Sequence, residues 1–82
     1  MPDPLQSMLH KGIRDSINEF DLDEARSSLK IALKHKPTAE TYYLASMVAE
    51  TAKEKKKYLE KALDLDPFNE EAFAEYEFIK AS

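Results

Sequence analysis

Two phrases of one pattern, LKIALKHKP (Leu29 to Pro37) and LEKALDLDP (Leu59 to Pro67), stand 30 residues apart in a chain of 82. Each runs Leu, two variable residues, Ala, Leu, three variable residues and Pro, so Leu29, Ala32 and Leu33, and again Leu59, Ala62 and Leu63, share one helical face. Proline closes each phrase, because the residue before it avoids helical angles and the helix is forced to exit. An internal period between about 20 and 50 residues marks stacked units, each of which buries its apolar face against the next.

Composition supports helices throughout. The chain has a single Gly, is rich in Lys, Glu, Leu and Ala, and is poor in β-branched residues. A domain of this size buries roughly 60 to 65% of the surface its unfolded form exposes. It has no Cys, so helix packing alone must hold it. The longest mainly apolar run, Tyr42 to Ala49, is eight residues including Ser46, far below the ~20 that span a bilayer. The N-terminal MPDPLQSM lacks the basic and apolar regions of a secretory signal. These features, with a formal net charge of −4, lead us to expect a soluble cytoplasmic protein with no general affinity for nucleic acid.

Five helices are predicted. Residues 4 to 19 form the first, with Leu5, Leu9, Ile13 and Ile17 as its stripe and Phe20 closing it. Asp3 caps it, Pro4 takes the first helical position and Gln6 completes a capping box. Gly12 inside a helix costs about 1 kcal/mol relative to Ala, which predicts a second backbone close by. The second helix runs from Leu22 to Lys36, capped by Asp21 with Glu24 reaching back, and Phe20 staples onto Ala25. Its core face is Leu22, Ala25, Leu29, Ala32 and Leu33, and the short connection makes an antiparallel hairpin. Thr38 caps the third helix, whose apolar residues cover more than one face. Thr51 and Glu54 predict a new start, giving a fourth helix with Tyr58, Leu59, Ala62 and Leu63; one long helix is the alternative. The fifth begins at Asn69, has Phe68 and Phe73 as its staple, and packs through Ala72, Phe73, Tyr76 and Ile79.

This arrangement resembles the tetratricopeptide repeat family. Leu9, Gly12, Ile13 and Ser16 followed by Ala25, Leu29, Ala32 and Pro37 match one repeat, about 4–37. Tyr42, Ala45, Ser46 and Ala49 followed by Leu59, Ala62 and Pro67 match a second, about 38–67, with Lys55 where the family usually has a small residue. Leu59 to Phe73 is closest to the consensus, and a capping helix over 69–81 completes a single all-α domain spanning 1–82. The resemblance implies a right-handed stack whose first helices line a concave groove for a peptide or a partner's helix. Carried over by position, Tyr43, Leu44, Met47, Glu50 and Phe78 face that groove, and His10 and Arg14 flank one end. The family's clamp for a C-terminal carboxylate needs Lys, Asn and Arg where this chain has Tyr43, Met47 and Phe78, so that ligand is not expected.

Plain burial is the competing reading of Tyr43, Met47 and Phe78, since amphipathic helices bury a stripe. An exposed patch would instead mark a partner, or a homodimer closed through the same residues. Between Arg26 and Lys61 there are nine basic residues against four acidic ones, while both ends are acidic. A solvated outer face explains this run, and an anion-binding role through Arg26, Lys30, Lys34 and Lys53 to Lys57 is the alternative. No catalytic constellation is evident: His10 and His35 are isolated, and no HExxH or glycine-rich phosphate loop occurs. Asp64, Asp66 and Glu75 have a faint calcium-loop spacing that Pro67 interrupts, with Asn69 where such a loop needs Gly. The expectation is a non-enzymatic interaction module that uses neither metal nor cofactor.

Overall fold

The computed structural model describes residues 3–81, which form five α-helices and no strand: α1 Pro4–Asn18, α2 Leu22–Lys34, α3 Ala39–Met47, α4 Ala52–Leu65 and α5 Glu70–Lys80. All five starts fall where the capping residues predict. Asp3 accepts from the N–H groups of Leu5 and Gln6, Asp21 from Glu24, Thr51 from Glu54 and Asn69 from Ala72. Thr38 and Thr41 form a reciprocal capping box on α3. The stretch from Thr38 to Leu65 is therefore two helices, separated by Val48 to Thr51.

Several local expectations change. Gln6 does not reach back to Asp3; its Nε2 donates to the carbonyls of Ala32 (3.0 Å) and Lys36 (2.6 Å). Ala32 lies in the last turn of α2, whose final carbonyls have no partner within the helix, and Lys36 lies just beyond its end. His35 Nε2 lies 2.8 Å from Asp3 Oδ2 beside them, so two contacts close the open end of the α1–α2 hairpin. Glu24 contributes only its N–H, and the Asp21 N–H donates to the Ser16 carbonyl instead. Neither staple forms as expected: Phe20 is 89% exposed, and Phe68 is 90% exposed. Gly12 faces solvent, and a methyl group added there would meet nothing within 4 Å, so no backbone crosses it.

Of the Leu5, Leu9, Ile13, Ile17 series, Ile13 is buried and Leu9 and Ile17 pack against its cluster, while Leu5 is half-exposed. Steps of four residues drift about 40° around a helix per step. Ile13 sits at the centre of the buried arc, and Leu5 and Gly12 fall outside it. The interior of that arc also takes Gln6, His10 and Ser16.

The Cα extents of 34 × 30 × 19 Å make a slab about two helices thick. α3 lies at its centre, against α2, α4 and α1, while α5 packs on α4. Two apolar clusters fill it. Ile13, Ala25, Leu29, Ala32, Leu44, Ala45 and Val48 form the first; Leu59, Ala62 and Ala72 form the second, with Tyr42, Tyr43, Leu63, Tyr76 and Ile79 around them. The two copies of the phrase thus supply the corresponding Leu and Ala to each cluster. Lys55, half-buried, extends its ammonium to within 3.3 Å of Glu75 Oε2 on α5.

Candidate functional site

The α1–α3 joint is polar and closely paired. Glu40, in the first turn of α3, takes both Nε and Nη2 of Arg14 on its Oε1, and its Oε2 lies 3.1 Å from His10 Nδ1. A carboxylate only accepts, so Nδ1 carries the hydrogen facing it. In the neutral ring Nε2 then accepts from the Thr41 hydroxyl at 2.7 Å, and the same Thr41 oxygen accepts the Thr38 N–H. Burial pushes the Glu40 carboxyl upward, but the hydrogen bond from Arg14 and the charges of His10 and Arg14 outweigh it and hold the group below its ordinary value. His10 is buried, whereas Arg14 and Glu40 are each about half exposed.

Beyond this joint, an open depression of about 460 Å³ lies between α3 and α5, lined by Tyr43, Glu71, Ala74, Glu75 and Phe78. Tyr43 packs its ring against the second cluster, with Glu71 and Glu75 beside it in the same hollow. Burial first, then the charges of Glu71 and Glu75, push the phenol above its ordinary value. Phe78 is 76% exposed along one wall. A second depression, about 400 Å³, lies at the α1–α3 joint, with His10, Lys11, Arg14 and Glu40 among its walls. Met47 is half-exposed one helical turn beyond Tyr43 but lines neither hollow.

Two expected site residues lie elsewhere. Leu44 is fully buried in the first cluster and has no surface for a partner. Because α3 is buried on several sides, its apolar pattern does not reveal which residues look outward. Glu50 lies beyond the end of α3, in the turn toward α4, where its Oε1 is 3.8 Å from Arg26 Nε. It belongs to the opposite side of the slab, on the rim of a hollow between α2 and α4.

That hollow, about 210 Å³, escaped the sequence reading. Leu29, Leu33, Val48, Ala49 and Tyr58 line it, with Arg26 and Lys30 on the α2 rim and Glu54 on α4. Arg26 is engaged by the Val48 carbonyl, Asp23 and Glu50, and Lys55 by Glu75, so two members of the basic run are already neutralised. Lys30 and Lys34 are exposed and make no ion pair among the described residues. The half-burial of Leu33 and Tyr58 on facing helices was the available signal, but it could be recognised only once α2 and α4 were placed.

Among the described residues, no group of three His, Asp or Glu side chains is placed to hold a metal ion, and no helix is long and apolar enough to cross a membrane. Comparisons with protein-family models, with curated proteins and with solved structures find no match for this chain.

Proposed function

We propose that this chain is a non-catalytic protein-interaction module of tetratricopeptide-like architecture, acting in the cytoplasm, that holds a peptide or helix on the side formed by α1, α3 and α5. The observation that carries the reading is the hollow shared by Tyr43 and Phe78: aromatic side chains from two helices meet there around an open space that Ala74, Glu71 and Glu75 also line. Large aromatics at a surface are the residues that most often dominate binding energy. Glu71 on its rim favours a segment whose apolar anchor is flanked by Lys or Arg, while Glu75 is already paired with Lys55. Arg14 at the α1 end supplies the opposite charge and a second point of orientation.

Selection of displayed random peptides on the wild-type protein tests this. The recovered peptides should share an apolar residue beside basic ones, and Phe78→Ser should weaken them by about 2 kcal/mol or more. Glu71→Lys should weaken them further at low salt than at high salt. Peptides that bind the Phe78→Ser protein as well as the wild type would exclude this face.

A further inference from the structure

A second association surface lies on the opposite side of the slab, and here the structure offers both halves of the contact. The hollow between α2 and α4 has apolar walls and, at about 210 Å³, is larger than the ~150 Å³ cavity that admits a benzene ring. On its α2 rim Lys30, with Lys34 one turn further on, makes no ion pair among the described residues. Elsewhere on the chain, Phe68 stands 90% exposed at the turn between α4 and α5. That turn is held in shape: the Phe68 N–H donates to Asp66 Oδ1 at 3.2 Å, and the Asn69 N–H to the Asp66 carbonyl at 3.1 Å. Asp64, Asp66, Glu70 and Glu71 surround the ring in sequence, and no Lys or Arg occurs between Lys61 and Lys80.

We infer that the hollow between α2 and α4 receives Phe68 from a second copy of this chain, with the acids of the α4–α5 turn set against Lys30 and Lys34. The knob is apolar and acidic, the socket is apolar and basic on its α2 side, and both are preformed, so little ordering cost opposes the contact. Glu50 on the rim is balanced by Arg26; Glu54 is the one lining acid that opposes the approach. A copy cannot fill its own socket. Glu54 and Leu65 are about 16 Å apart along α4, with the socket at the first end and Phe68 beyond the second. Because knob and socket are different patches, the contact is heterologous, and each added copy leaves one of each open. This surface is separate from the Tyr43–Phe78 hollow.

Sedimentation velocity over a wide concentration range tests the inference. The mean mass of the wild-type protein should rise with concentration and rise less at high salt. Phe68→Ser should shift that rise to about tenfold higher concentration or more, the equivalent of losing one buried aromatic ring. Lys30→Glu with Lys34→Glu should do the same, since all three side chains are exposed and their loss leaves the fold intact. Mixed together, the two variants should form a one-to-one pair and nothing larger, because one retains only a socket and the other only a knob. A wild-type protein that stays monomeric throughout overturns the inference. So does association that survives Phe68→Ser, or association abolished by Phe78→Ser instead, which would assign the contact to the other face.

Discussion

Phe20 carries a conformational cost with nothing visible to offset it. It is the one described residue other than glycine with a positive φ, 61°, and its ring is almost wholly in solvent. The left-handed region costs an L-residue about 1–2 kcal/mol, whereas glycine enters it freely. Gly12 is the converse: a flexible residue in the interior of α1, with open space where a Cβ would go. Exchanging these preferences should stabilise the protein twice over. Phe20→Gly and Gly12→Ala are each expected to raise the unfolding free energy in urea by about 0.5–1 kcal/mol, and Phe20→Val to lower it. The two positions are far enough apart in their environments for the gains to add.

Between elements, the joint from α1 to α3 rests on Glu40. Its carboxyl is held below the ordinary value of about 4.5, so the unfolded chain takes up the proton first as the solution is acidified. The stability it contributes is complete at neutral pH and declines as pH falls from about 4.5 toward the lower, folded-state value. Asp3 acts in the same direction: burial raises it, but the hydrogen bond from His35 and those from backbone N–H groups lower it further. Urea titrations at pH 7 and at pH 3.5 should therefore show a loss of stability that is smaller in Glu40→Gln. The difference should be modest, because Glu40 is nearly half exposed and screened by solvent.

Element boundaries were the most legible feature of the sequence, because caps and prolines act over three or four residues and the chain supplies one at every start. Faces were less legible. The apolar series on α1 predicts a stripe, yet Gln6 and His10 occupy part of the buried arc, and their partners Ala32, Lys36, Glu40 and Thr41 lie about thirty residues away. Such pairings depend on how α1 is laid against α2 and α3, and no local pattern encodes them. The site was legible in part for the same reason. Tyr43 and Phe78 do meet at one hollow, while Leu44 and Glu50 could be excluded only when the end of α3 and its several buried sides were known.

For the molecule as a whole, two apolar clusters must together offset the entropy of ordering all five helices. A domain of this length is expected to have about 4–12 kcal/mol of stability. Leu29 and Leu59 sit at equivalent places in the two clusters and are almost fully enclosed. Leu29→Ala and Leu59→Ala should each cost about 2–5 kcal/mol, a large share of the total. Despite the two centres, unfolding should be a single transition followed by far-ultraviolet circular dichroism, because α3 and α4 contribute to both. Tyr58 of α4 packs on the first cluster and Tyr42 of α3 on the second.

These two rings stack on one another, with centroids 6.4 Å apart and planes inclined by 27°, and Lys61 Nζ lies 5.6 Å from the centre of Tyr42. The chain has no Trp and four Tyr. Half of its phenol chromophores therefore sit at the seam between the clusters, and no indole signal masks them. The near-ultraviolet optical activity and tyrosine emission of this protein become a built-in gauge of whether its two halves are joined, readable without attaching any label.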